Sequence, residues 1–187
     1  MITGSVTRSI PDHWQRLLDN HAAALQEYRA AATVLNGGSW MAPLAPGKWS
    51  PAEITAHVSE AYRVLASELA GASGMALRGS KLQRLVLRHT MLPRLLSGKP
   101  FPSGVRAPRE TRPTDVIVDS VLALTTLGRL AEQFTRNLTE KCGDRHVRLT
   151  HAYFGPMTAR QALQLCIMHT RHHARQLAAI SRAPVHS

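Results

Sequence analysis

Apolar residues recur at helical spacing through four long stretches of this chain, and that periodicity points to packed helices rather than sheet. The first stretch runs from about Asp12 to Asn36, with Trp14, Leu17, Leu18, His21, Leu25, Tyr28, Ala32 and Leu35 on one stripe. Asn36-Gly37-Gly38 is expected to end it, because glycine readily takes the left-handed conformation that closes a helix. The second opens at Ser50-Pro51-Ala52-Glu53, an S-x-x-E capping box with proline at the first helical position. Its stripe continues through Ile54, His57, Val58, Ala61, Leu65 and Leu69, and Gly71 and Gly74 stop it.

An irregular stretch follows. Leu82, Leu85, Val86, His89 and Leu92 predict a short amphipathic helix before Pro93, after which Pro100, Pro102, Pro108 and Pro113 keep the chain extended. It reads as a long crossover of the bundle, since neither flank could bury a core alone. The third long helix is expected from near Thr114 or Asp115 to about Lys141, burying Val116, Ile117, Ser120, Leu124, Leu127, Leu130, Ala131 and Phe134. The fourth starts at a second capping box, Thr158-Ala159-Arg160-Gln161, and runs to about Ser181. The expected fold class is all-α, a four-helix bundle with a long irregular crossover containing a short extra helix. At 187 residues the chain suits one domain, 1–187, with 78–112 as a basic insertion in the crossover.

The first residues, Met-Ile-Thr-Gly-Ser-Val-Thr-Arg, contain no apolar h-region, and no window reaches 18 uninterrupted apolar residues. A cytoplasmic location is the expectation. Cys142 and Cys166 belong to no C-x-x-C pair, and cytosolic thiols stay reduced, so Cys166 reads as a small buried hydrophobe on the fourth helix.

Charge is concentrated. Between Arg78 and Arg112 stand nine basic residues (Arg78, Lys81, Arg84, Arg88, Arg94, Lys99, Arg106, Arg109 and Arg112) against one acid, Glu110, so this stretch carries +8 of the net +11. It suits nucleic acid, anionic lipid or an acidic small molecule, or it is a solvated face.

Three histidines fall on inward stripes. His169 and His173 are four apart on the fourth helix, so their Cβ atoms lie about 5–6 Å apart on one face, close enough for both imidazoles to reach one ion. His57 occupies the inward face of the second helix. Burying three imidazoles without partners is costly, and a shared divalent ion would satisfy all three. Neutral imidazole is a good ligand for Zn, Ni, Cu or Fe; Zn or Ni is the first expectation, with Fe or Mn as further candidates.

The chain resembles the DinB-like superfamily of damage-inducible and YfiT-like metal-dependent proteins. The likeness rests on Trp49-Ser50 followed by Glu53-Ile54 and His57, on His169-Thr170-x-x-His173-x-x-Gln176-Leu177, and on the connection His151-Ala152-Tyr153-Phe154-Gly155-Pro156-Met157-Thr158. It covers nearly the whole chain and departs mainly in the basic stretch. The resemblance implies an up-up-down-down four-helix bundle whose metal ligands match His57, His169 and His173. It also implies kinship with S-transferases and isomerases that use low-molecular-weight thiols. It does not imply a DNA polymerase, despite a shared historical name.

Three protein ligands leave a coordination position open, the usual mark of a catalytic site. Thr170, Arg171 and His172 stand between His169 and His173, so the H-E-x-x-H general base of metallopeptidases is missing. Thiol transfer suffers less from that absence, since a metal-held thiolate is itself a nucleophile. Two more residues are candidate catalytic groups: His151, facing the metal's open side, and Glu60, orienting a ligand imidazole one turn after His57 or else an exposed helical carboxylate. Gln176 either leans towards the site or is a helix-surface amide, and His172 is expected to point away.

The leading expectation is a metal-dependent thiol S-transferase or hydrolase acting on a small molecule, with a low-molecular-weight thiol as candidate partner. The alternative is a non-catalytic binding module whose segment 78–112 contacts nucleic acid or another polyanion. That ranks second, because Phe101 alone supplies no stacking platform. A third reading, a vestigial metal site in a bundle acting through assembly as a homodimer, names no interface.

Overall fold

A computed structural model describes residues 10–35, 37–102, 104–141 and 144–182. In chain order the elements are α1 (Asp12–Thr33), the single turn α2 (Gly38–Met41), α3 (Pro51–Leu69), α4 (Lys81–Leu96), a 3-10 turn (Arg109–Thr111), α5 (Ser120–Glu140), a hairpin of β1 (Arg148–His151) and β2 (Gly155–Thr158), and α6 (Ala159–Arg182). The all-α bundle is therefore what the chain forms, with one small hairpin added.

Helix starts follow local chemistry. Ser50 Oγ accepts from the Glu53 N–H at 3.2 Å while the Glu53 carboxylate accepts from the Ser50 N–H at 2.7 Å, with Pro51 at the first helical position. Thr158 and Gln161 exchange the same pair of bonds ahead of α6, at 3.2 and 3.0 Å. A third capping box, Ser80 with Gln83, opens α4 and was not among the expected starts.

Several boundaries differ from those expected. α1 stops at Thr33, three residues short of Asn36, which lies outside the described residues. α5 begins at Ser120, capped by Asp119, and not at Thr114 or Asp115. Pro113 precedes that region, and the Ile117 carbonyl is already taken by Trp40 Nε1 at 3.1 Å. α4 runs through Pro93 to Leu96, where the sequence predicted a stop. Leu92 and Leu95, buried on either side of that proline, hold the helix against α6 and outweigh one missing N–H.

α4 also presents its residues differently from the expected stripe. Leu92 is buried, but Leu82, Leu85 and Val86 are 69%, 53% and 51% exposed.

The directions of the long helices depart from the implied up-up-down-down course. His21 meets Tyr62 and Tyr28 meets Thr55, each at 2.8 Å, so α1 and α3 are antiparallel. Asn137 reaches the Ala66 carbonyl and Lys141 the Leu69 carbonyl, so α5 runs parallel to α3. Glu68 meets Thr150 just before α6, Tyr62 meets Thr170, and His57 lies against His173, which makes α6 antiparallel to α3. The order is up-down-down-up. The long loops after α1 and α3 permit either course, so helix periodicity could not decide between them.

Neighbours in the bundle are distant in sequence, α1 beside α6 and α3 beside α5. Ala24, Tyr28, Ala32, Leu127, Ala131, Phe134, Leu163 and Leu177 fill the space between them. Two polar links cross this core. His21 Nε2, Tyr62 Oη and Thr170 Oγ1 join α1, α3 and α6, and Tyr28 Oη donates to Thr55 Oγ1, which itself donates to the Pro51 carbonyl. Each satisfies hydroxyls that would otherwise be buried bare.

The hairpin pairs Arg148 with Thr158, Leu149 with Met157 and His151 with Gly155. Leu149 and Met157 are buried side by side, and both Glu68 carboxylate oxygens accept from the Thr150 N–H at 2.9 Å. The hairpin is thereby fixed to the end of α3 and sets where α6 begins.

Candidate metal centre

The inward stripes of α3 and α6 bring His57, His169 and His173 together. The Nε2 atoms of His57 and His173 each lie 3.0 Å from His169 Nε2, and the three ligand atoms lie within 4.8 Å of one another. Their ring centroids are 4.5 to 4.9 Å apart. His57 and His173 are buried and His169 is partly exposed.

The outer nitrogens fix the tautomers. His57 Nδ1 contacts the Thr111 carbonyl, and His173 Nδ1 lies 2.7 Å from Gln176 Oε1. Both partners are oxygen acceptors, so both Nδ1 atoms carry the proton and both Nε2 atoms turn a lone pair inward. His169 has at most one N–H to offer them, which leaves at least one lone pair facing another. A cation removes the conflict. Two nitrogens about 2.1 Å from one ion and ~90–109° apart sit roughly 3.0–3.4 Å from each other, which matches the two 3.0 Å separations to His169.

Electrostatics favours the same state. Burial is the largest cause lowering all three imidazoles, with His169 and His173 well below the usual histidine value. Repulsion from nearby histidines adds to the lowering, from His173 and His57 on His169, from His57 on His173 and from His172 on all three, while the Thr111 carbonyl and Gln176 act in the opposite direction on His57 and His173. At neutral pH the three rings are uncharged, the form in which imidazole ligates.

Aromatic rings and the crossover complete the surroundings. Trp49 packs on His57 with centroids 4.9 Å apart, and Phe101 lies 5.9 Å from His169 and 5.1 Å from His172. Tyr153 Oη donates to the Arg106 carbonyl at 2.9 Å. Through Phe101 and Thr111 the segment after α4 thus passes along the cluster.

The other expected site residues fall as follows. His151 stacks on Phe154 at 4.5 Å and 17°, and its Nδ1 accepts the Tyr153 N–H at 3.2 Å. Its contacts are with Tyr153 and Phe154, and burial pushes it down to about 4. Glu60 is buried one turn from His57, but its carboxylate pairs with Arg63 and the Nδ1 of His57 is held by Thr111. His172 was expected to point away, yet its ring lies 5.0 Å from His173 and packs on Phe101, because a one-residue step turns a long ring only partly off the face. Cys166 is buried and free, its thiol pushed up to about 12 by burial, while Cys142 lies outside the described residues. Sequence reasoning missed Thr111, since its contribution is a backbone carbonyl that any residue carries. Gln176 left a signal in its spacing of three from His173.

The family model for the DinB superfamily matches residues 20–177, most of the chain and every residue of the cluster. The chain belongs to the DinB superfamily. No curated protein and no solved structure matches it. Within this DinB-superfamily chain, the three-histidine cluster is compatible with a divalent metal ion. Among the described residues no helix is long and apolar enough to cross a membrane.

Proposed function

We propose that this chain is a metal-dependent enzyme in which His57, His169 and His173 hold one divalent cation, Zn or Ni before Fe or Mn. Its reaction is transfer of a low-molecular-weight thiol to a small electrophile, in preference to hydrolysis. The observation that carries the reading is the convergence of three neutral Nε2 atoms, two with their outer protons already engaged.

A bound divalent cation would supply a lowered pKa for thiol or water held at its open position. The protein's own groups favour thiol. The carboxylate nearest the cluster in sequence, Glu60, is engaged by Arg63 and does not serve as a base for water. Cys166 stays protonated, so the sulfur nucleophile comes from the co-substrate. His151, neutral at pH 7 with Nδ1 occupied as an acceptor, carries its proton on Nε2 and can donate to the electrophile or leaving group. The aromatic faces of Trp49 and Phe101 offer an apolar wall for the organic part of the substrate. The proposal places the protein in the cytoplasm, where such thiols are kept reduced.

The test is elemental analysis of untagged protein followed by zinc and nickel titration of wild type, His57→Ala and His173→Ala. One ion per chain, lost in both variants, supports the reading, and an unaltered affinity in His173→Ala overturns it. Conjugation of a panel of thiols and electrophiles by the loaded protein, absent from His151→Phe, tests the transferase assignment.

A further inference from the structure

The outward face of α4 is apolar where folding gives no reason for it to be. Leu82, Val86, His89 and Pro93, spaced by four, three and four, share one side of the helix, with Leu85 beside them. All five are exposed, the leucines and valine by half or more. Met91 and Leu95 pack against the core from the other side of the helix, and Leu92 does so from beside Leu85. Leu77, immediately before the helix, is a further 49% exposed.

This ridge lies in the most basic part of the molecule. From Arg78 to Arg109 there are eight lysines and arginines and no acid. Arg78, Lys81, Arg94 and Lys99 are exposed. Among the described residues none of these eight joins an ion pair. Arg84 and Arg88 instead brace the helix, donating to the Arg78 and Gly79 carbonyls and to the Pro156 carbonyl.

We propose that α4 docks this protein on an anionic lipid surface, with Leu82, Leu85 and Val86 entering the headgroup boundary and the surrounding cations meeting lipid phosphates. An exposed apolar ridge flanked by cations is the pattern of helices that lie in a bilayer interface, and each cation near an anionic leaflet adds to the attraction. Nucleic acid accounts for the charge but not for exposed leucine and valine, and base stacking calls for aromatics that this helix lacks. A second copy of the chain would bring like charges together. The docking does not depend on the metal.

Flotation of the full chain with vesicles tests it, using phosphatidylcholine alone and phosphatidylcholine mixed with phosphatidylglycerol, beside duplex DNA binding and light scattering. Wild type is expected to float with the anionic vesicles and not the neutral ones, and to be released as salt shortens the screening length. The L82S/L85S/V86S variant keeps every charge and changes only exposed positions, so it should fold, as circular dichroism checks. Its binding to anionic vesicles should fall at least about tenfold. Failure of wild type to bind anionic vesicles, or unchanged vesicle binding by the triple variant, overturns the proposal. So does an effect of the variant confined to DNA affinity or to oligomeric state.

Discussion

His57 and His173 each direct one proton outward onto an oxygen, Thr111 O and Gln176 Oε1, and this decides which nitrogen faces the cluster. Gln176→Leu should therefore weaken zinc or nickel affinity about 10–100-fold, the usual effect of removing a ligand's outer partner. Glu60→Gln should leave that affinity unchanged, because Glu60 bonds Arg63; isothermal titration separates the two. His21 contributes to an acid limb of stability. Burial lowers it from 6.5 to about 4, so between those values the unfolded chain binds more protons and stability rises with pH. The contribution is complete above about pH 6.5 and is lost as pH falls through 4, in all roughly 3 kcal/mol. His21→Phe keeps a ring beside Phe134 and should make this limb shallower in urea melts between pH 4 and 7, leaving the share of His151, which is lowered likewise. At this scale the ligand trio was legible, because side-chain type and spacing encode it directly. Thr111 was not, since a carbonyl has no sequence signature.

Among the elements, α3 and α6 start where paired capping residues announce them. Ser50→Ala should cost about 1 kcal/mol in denaturant melts, through loss of an acceptor for the Glu53 N–H. Pro93 breaks the expectation in the other direction. It is exposed inside a continuous helix, so Pro93→Ala should raise stability by about 1–2 kcal/mol, part of the intrinsic cost of a helical proline offset by its stiffening of the unfolded chain. The hairpin was illegible because two four-residue strands give periodicity too little length. The stripe through Leu82, Leu85 and Val86 was legible as a helix face, but spacing does not say whether a neighbour covers that face, and here none of the bundle does.

For the molecule as a whole, the connections decide the course. Up-down-down-up places the antiparallel α3 and α6 with their histidine stripes facing, and this order rests on loops whose lengths fit either alternative. Glu68, Thr150 and Gly74 tie the far end together. A Cβ on Gly74 would stand 2.2 Å from Glu68 Oε1 and 2.7 Å from Thr150 Cβ, so any side chain there displaces the carboxylate that receives the Thr150 N–H. Gly74→Ala should destabilise the fold by about 1–3 kcal/mol, as a partly buried donor loses its partner. Faster amide exchange at Thr150 than in wild type would locate that loss in the hairpin.

Because a main-chain oxygen of the crossover steadies His57, the ring answers to the path of that segment and not to its amino-acid identities. The basic residues around it are thereby free to diverge, and the loop can take on new surface duties while the imidazole it supports stays in place.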